Sequence, residues 1–413
     1  MIATRSRDTR NLLVALDIGT SKIVTIVAEI TPEDTLSLIG MGSHPSRGLK
    51  KGVVVNIEST VNAIQRSLEE AELMADAKIK EVLTGIAGSH IKSFNSHGMV
   101  AIKDKEVQQY DIDRVIETAR AVNIPMEQQV LHILEQEFII DGQGGVRQPS
   151  GMSGMRLEVK VHIVTGAVSA AQNIMKCVRR CGLEVRDLML QPLASADAVL
   201  LDDERDLGVC LVDIGGGTTD FAVFERGSLW HTGVLAVGGD HFTNDIAVGL
   251  RMPIPDAEKL KRRSGCALSS LVPEDETMEV ASIAGRRARV MPRRVLSEIL
   301  QPRAEEICHL LWDEIRRAGY EKTLNSGIVF TGGAALLEGM AEIAEQIFDL
   351  PVRRAAPEGV GGLADHVNSP AFATSVGLVL YTHRNMQAEP VRVGVGTLGR
   401  LTGRLRTLFK EFF

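Results

Sequence analysis

The stretch GVCLVDIGGGTTDFAVFERGSL (Gly208–Leu229) runs from an apolar segment of strand length into a carboxylate, three glycines and two threonines, and then into a second apolar segment. Two apolar runs flanking a Gly-rich polar turn read as a β-hairpin with buried strands. The same plan opens the chain in LLVALDIGTSKIVTIVAEI (Leu12–Ile30). The chain contains a repeat, and its two copies mark the starts of two related α/β halves.

In both copies an Asp closes the first strand, Asp17 and Asp213, and Ile-Gly follows it. Gly19, Thr20, Ser21 and Lys22 fill the first turn; Gly215, Gly216, Gly217, Thr218 and Thr219 fill the second. This composition suits phosphate. Glycines let backbone N–H groups approach an anion, hydroxyls donate further hydrogen bonds, and Lys22 adds a cation. A carboxylate at a strand end can hold magnesium through the ion's own waters. Two further Gly-rich junctions support the reading. GIVFTGGAALLEG (Gly327–Gly339) places Gly332 and Gly333 between a strand and a helix, and LAVGGDHFTNDIAVGL (Leu235–Leu250) does the same with Gly238 and Gly239. Helix N-termini beside bare backbone can receive a nucleotide.

The bulk composition excludes several classes. A chain of 413 residues with a formal charge of −7 lacks the basic field that bulk nucleic-acid binding needs, so no nucleic-acid partner is expected. Its cysteines, Cys177, Cys181, Cys210, Cys266 and Cys308, are odd in number and lack CxxC spacing, which disfavours a disulfide framework or a zinc site. No apolar run reaches the length of a membrane span, and residues 1–10 read as a disordered tail rather than a signal peptide.

These motifs resemble those of the actin, sugar-kinase and heat-shock-70 ATPase superfamily. DIGTSKI is similar to its first phosphate motif, DIGGGTTD to its second, and IVFTGGAALLEG, through Leu336, to its adenosine motif. The resemblance implies an actin-like (ribonuclease-H-like) duplicated two-domain α/β fold with a nucleotide cleft, and ATP with Mg2+ as cofactors. It puts Gln191, in LMLQPLASADAVL (Leu188–Leu200), where actin positions the attacking water, with that stretch as a connecting helix. Gln191, Asp17 and Asp213 are thus the candidate catalytic residues, and the two acids the candidate Mg2+ site. Glu258 and Lys261 have the E-x-x-K spacing that reaches ribose and adenine in relatives, one helical turn apart.

Within the superfamily the chain resembles the FtsA family of bacterial cell-division proteins from Leu12 to the end. EQEFIIDGQGGVRQPSGMSGMRLEVKVHIVTG (Glu135–Gly166) resembles the end of that family's inserted subdomain. The implied organisation is a first core domain at 11–85, 167–191 and 371–384, an inserted subdomain at 86–166, a second core domain at 192–230 and 305–370 with a small subdomain at 231–304, and a linker at 385–397. The resemblance implies a membrane-associated, ATP-binding, actin-like polymer that tethers the tubulin-like FtsZ to the inner membrane at the division septum. Expected partners are the FtsZ C-terminal peptide, other copies of the chain through the inserted subdomain, later division proteins and anionic lipid. A small-molecule kinase of the same superfamily is the alternative. ATP hydrolysis stays open, because the same groups serve a protein that only binds ATP.

Two stretches carry the partner expectations. RRARVMPRR (Arg286–Arg294) reads either as a solvated basic loop or, by the resemblance, as a docking site for the FtsZ peptide through Arg286, Arg293 and Arg294. At the C-terminus, Leu398, Leu401, Leu405, Leu408, Phe409, Phe412 and Phe413 form one apolar stripe on a helix over 398–413, with Arg404 and Lys410 among its basic flanks. That pattern fits a helix lying in a membrane interface; docking on the protein's own core is the competing reading.

Overall fold

A computed structural model describes residues 11–280 and 289–388 of the chain. Strand Leu12–Ile18 is buried from Leu13 onward, and Lys22–Ile30 is buried from Ile23 to Ala28. Continuous burial means that both faces of the sheet are covered, which is why these strands read as unbroken apolar runs. They pair antiparallel from Leu12 opposite Glu29 to Ile18 opposite Ile23. The second copy pairs in the same way, from Val209 opposite Phe224 to Ile214 opposite Thr219.

Each hairpin nucleates a sheet of the same order. In the first, the sequence across the sheet is Leu36–Pro45, Lys22–Ile30, Leu12–Ile18, Glu81–Ile86 and Glu184–Leu190; in the second it is Ser228–Leu235, Thr219–Glu225, Val209–Ile214, Ile328–Thr331 and Val352–Arg354. In both, three antiparallel strands are followed by two parallel ones. Helix Ile57–Ala75 covers the first sheet. It starts where the Asn56 side chain accepts from the Ser59 N–H at 2.9 Å and stops at Asp76, whose left-handed backbone turns the chain away. Helix Arg293–Ala318 buries Leu296, Leu300, Ile307, Leu311 and Ile315 against the second sheet, in one core with Phe221 and Phe330. Truncating Phe330 to Ala there removes a fully buried ring and costs about 3–5 kcal/mol.

The inserted subdomain is a separate antiparallel sheet, in the order Lys92–Ala101, Arg156–Ala167, Gln128–Ile140 and Gln143–Val146. Helix Gln109–Arg120 lays Val115 and Ala119 on Leu157, Val159 and Val161 to give it a core of its own. The described residues through Tyr381 form one compact unit, and Thr382–Ala388 continues helix Ala373–Ala388. No described helix is long and apolar enough to cross a membrane. The five thiols are free.

Several expected boundaries differ from the structure. The chain rejoins the first sheet at Gly361, which pairs with Ser37, and not at 371. The cut at 230/231 falls inside strand Ser228–Leu235, which belongs to the second sheet, and the cut at 304/305 falls inside helix Arg293–Ala318. Only Gln191–Val199 of the expected connecting helix is helical, since Leu188–Leu190 end a strand. Residues 385–388, expected in the linker, are helical. Edge strands and long helices complete sheets chosen by tertiary pairing, which motif spacing does not reveal. The 1–10 tail, the remainder of the linker and the C-terminal amphipathic segment lie outside the described residues.

Candidate functional site

The turns of the two hairpins meet across a cavity of about 850 Å³, within the range of small-molecule sites. The approach is close. A Cβ on Gly216 would stand 1.8 Å from the Ser21 Oγ of the other half, so a side chain there would have to displace that hydroxyl. Most of the expected residues line this cavity: Asp17, Gly19, Thr20, Ser21 and Lys22 from the first half, and Asp213, Gly215, Gly216 and Thr218 from the second. Gln191, Gly239, Glu258, Lys261, Gly332, Gly333 and Leu336 line it as well. Three expected residues do not. Thr219 is fully buried and donates to the Val237 carbonyl at 2.9 Å, Gly217 lies behind Thr20, and Gly238 donates its N–H to His241 Nδ1 as it caps helix Gly239–Leu250. They shape the turns and leave the cavity wall to their neighbours.

Three carboxylates gather at its floor. Asp17, 8% exposed, accepts from Gln191 Nε2 at 3.1 Å and from Ser375 Oγ at 2.8 Å. Asp213 accepts from Ser195 Oγ at 2.8 Å and Thr374 Oγ1 at 3.0 Å. Asp220, directly opposite Asp213 in the ladder, accepts from Thr218 Oγ1 at 2.8 Å, while its buried Oδ1 has no partner. Burial pushes the Asp17 pKa up to about 6 and that of Asp220 up to about 7, with the Asp213 charge adding to both. Burial raises Asp213 as well. These are acids held short of a counter-charge.

The cations are spaced around them. Lys22 sits with Nζ 3.4 Å from the centre of the Phe372 ring, and burial lowers its pKa to about 8. Lys261 pairs with Glu258 at 2.6 Å and donates to the Gly239 carbonyl at 2.8 Å. Burial works against ionised Glu258, but Lys261, Thr243 and Arg262 outweigh it and hold the pKa at about 2. Gly332 takes a backbone φ of +86°, and a Cβ there would come within 2.3 Å of Asp213 Oδ1. The turn after it is a short 3-10 helix, Gly333–Leu336, not the α-helix that strand and glycines suggest.

Sequence reasoning missed Asp220, Ser195, Thr374, Ser375 and Phe372. Asp220 had a signal, being the second acid of DIGGGTTD and the ladder partner of Asp213. Ser195 lies in helix Gln191–Val199, one turn after Gln191, whereas Thr374 and Ser375 had no signal, since helix Ala373–Ala388 brings them from the far end of the chain. The three expected docking arginines divide. Arg286 lies outside the described residues. Arg293, with a side chain 14% exposed, is not a surface cation: it lines the cavity, pairs with Glu276 at 3.0 Å and with Glu338, and donates to the Ser264 carbonyl at 2.8 Å. Arg294 is half-exposed and pairs with Glu274 at 3.4 Å and Glu298 at 3.5 Å.

Residues 210–377 match the family model described as "Cell division protein FtsA", and residues 88–165 match "SHS2 domain inserted in FTSA". The "Cell division protein FtsA" of Pseudomonas aeruginosa is 55% identical over 370 residues, covering 90% of this chain and 89% of that one. The chain belongs to the FtsA family. It is therefore a cell-division protein, and the separate antiparallel sheet is the family's inserted domain. Among solved structures, the "PilM-PilN type IV pilus biogenesis complex" aligns with a TM-score of 0.65 at 18% identity, over 89% of this chain and 98% of that chain. "MreB5 of Spiroplasma citri bound to ADP" aligns with a TM-score of 0.55 at 15% identity, over 92% of this chain and 100% of that chain. Those likenesses show the fold, an actin-like α/β fold that carries an insertion.

Proposed function

We propose that the cavity binds ATP with Mg2+, and that the protein is a membrane-attached, actin-like polymer linking FtsZ to the cytoplasmic face of the inner membrane at the septum. The observation that carries the nucleotide reading is the pair of Asp-Ile-Gly turns facing one another across a cavity that also receives the Gly332 loop. Two sheets of one strand order fit the duplicated, ribonuclease-H-like arrangement in which such turns clamp a polyphosphate. The FtsA-family relatives and the ADP named for the MreB5 structure support the same reading.

The residues fit a magnesium nucleotide. Asp17 and Asp213 would hold the ion through its waters, and the partnerless Asp220 Oδ1 offers one more acceptor. The ion would supply positive charge to the phosphate oxygens. The turn N–H groups would donate to the phosphates, beside Ser21 and Thr218, whose hydroxyl protons go to Asp240 and Asp220; Lys22 would neutralise charge from the first half, and the Glu258–Lys261 pair would face the ribose and base. The bare Gly332 and Gly333 backbone lets the adenosine lie against it. Gln191, which donates to Asp17, would orient a water in slow hydrolysis, and no small-molecule substrate is expected. Saturable, Mg2+-dependent binding of ATP to the purified chain tests the reading; a steady-state ATPase assay with and without lipid tests the hydrolysis.

The inserted subdomain, at about 86–166, serves self-assembly. The small subdomain of the second half receives the FtsZ C-terminal peptide. Since Arg293 is engaged inside, the docking cations are Arg286 and Arg294, and Arg286→Glu with Arg294→Glu should weaken a titration of that peptide in a salt-dependent way. Residues 398–413 attach the polymer to anionic lipid. Each tail binds weakly, and a row of tails on one filament binds firmly because each attachment makes the next intramolecular. Co-sedimentation with anionic vesicles should be lost on deleting 398–413; a truncated chain that still pellets with lipid overturns the tether. Later division proteins complete the assembly.

A further inference from the structure

Helix Arg293–Ala318 starts at the cavity, and Tyr320, two residues past its end, reaches the inserted subdomain. At its first residue, the Arg293 guanidinium holds two walls of the cavity's base end together. Its Nε donates to the carbonyl of Ser264, the last residue of the helix that carries Glu258 and Lys261, and its Nη2 pairs with Glu338 on the loop that follows Gly332. A third bond, Nη1 to Glu276 at 3.0 Å, engages each of the guanidinium's three nitrogens.

About 39 Å away along a helix of 26 residues, Tyr320 is fixed to the other end by its N–H on the Ile315 carbonyl. Its hydroxyl donates to the Trp230 carbonyl at 3.2 Å and accepts from Asn95 Nδ2 of the inserted subdomain at 3.4 Å. Around it is a polar seat joining the inserted subdomain to the second half. Asn95 Oδ1 can only accept, so the His162 Nδ1 at 2.6 Å donates to it, and His162 Nε2 then accepts from Thr232 Oγ1 at 3.1 Å. Gln136 Nε2 donates to the Trp230 carbonyl at 3.1 Å, and the Ser93 hydroxyl to the Thr232 carbonyl at 2.9 Å. Burial keeps His162 neutral, with its pKa near 3, as this pattern requires. Pro302 interrupts the helix's hydrogen bonds, but buried Leu300 and Ala304 on either side of it share one core with the second sheet, so both parts of the helix move with that sheet.

The geometry points to this helix as a strut: Arg293 positions both walls of the base end, and the helix ties their spacing to the seating of the inserted subdomain on the second half. The inference rests on the nucleotide reading above and adds its regulation. Occupancy of the cavity tightens the seat, and loosening the seat weakens occupancy, because coupling between two sites is reciprocal. Self-assembly through the inserted subdomain thereby becomes sensitive to nucleotide.

The test is amide hydrogen exchange on the full chain without lipid, with and without saturating Mg-ATP, alongside ATP titrations. In the parent, ATP should slow exchange in 128–140 and 228–235 about threefold or more, within the usual range of coupling. Arg293→Gln, with Glu338→Gln breaking the same clip from the loop side, should abolish that slowing even at saturation. Tyr320→Phe, which touches nothing in the cavity, should weaken ATP binding about fivefold. Equal slowing in parent and both clip variants, or parental affinity in Tyr320→Phe, would overturn the strut while leaving the nucleotide site intact. Absence of ATP binding by the parent would overturn the site and the strut with it.

Discussion

The two Asp-Ile-Gly hairpins share a backbone and differ in what they carry. Both bring two hydroxyls, Thr20 and Ser21 in the first and Thr218 and Thr219 in the second; the first adds a cation, Lys22, and the second three successive glycines and a second acid, in Gly215–Gly217 and Asp220. Their grips on the acids also differ. Asp17 is held by an amide from Gln191 and a hydroxyl from Ser375, Asp213 by two hydroxyls, from Ser195 and Thr374. One hairpin geometry thus occurs twice with its chemistry split, positive charge on one side and spare negative charge on the other. On the proposed reading neither turn alone would balance a magnesium polyphosphate, and the two together would.

The largest expected break in this arrangement is Gly332→Arg. It puts a side chain where a Cβ already comes within 2.3 Å of Asp213, at a φ of +86° that only glycine adopts freely. ATP binding should fall about 100-fold or more, with a stability loss of about 1–3 kcal/mol from the backbone alone, read by titration and thermal melting. Next is Asp213→Asn, which keeps shape and removes charge: Mg2+-dependent affinity should drop about 10- to 100-fold, the scale of a charged hydrogen bond lost at a buried site.

The pH profile sharpens the comparison because the first hairpin alone carries both an acid and a cation, which titrate on opposite sides of neutrality. Asp17, with a pKa near 6, must lose its proton to hold the ion, so Mg-ATP affinity should rise from pH 5 to 7. Lys22, near 8, loses its charge above that, so affinity should fall again toward pH 9. In Lys22→Gln the alkaline fall should vanish and the acid limb remain. Without nucleotide, folded Asp17 and Asp220 keep protons that the unfolded chain has already released. Stability should therefore decline as pH rises from about 4 to about 7, and bound Mg-ATP should reverse that slope. The smallest effect is expected from deleting 398–413, which should leave ATP affinity at neutral pH unchanged while vesicle binding is lost.

Much of this site was legible in the sequence because its chemistry is local. Asp, glycines and hydroxyls fall within one turn, and the turn recurs. What was illegible depends on distant segments. Ser375 reaches Asp17 across 358 residues of chain, and Gly361 joins the first sheet through pairing alone. Arg293 was misread for a related reason: a run of arginines looks like a surface patch, and only packing against Ser264, Glu276 and Glu338 shows that one of them faces inward. Asp220 was overlooked although it stood in the quoted motif, since only the strand pairing shows that this acid lies opposite Asp213.

The central claim is that both hairpins act on one ion and one nucleotide. A double-mutant cycle on Mg-ATP affinity with Asp17→Asn and Asp213→Asn tests it most directly. Each single change should remove most of the Mg2+-dependent gain, and the double variant should lose little more, because groups serving one ion are not additive. Losses that simply sum, or a parent whose ATP affinity is the same with and without Mg2+, would contradict it.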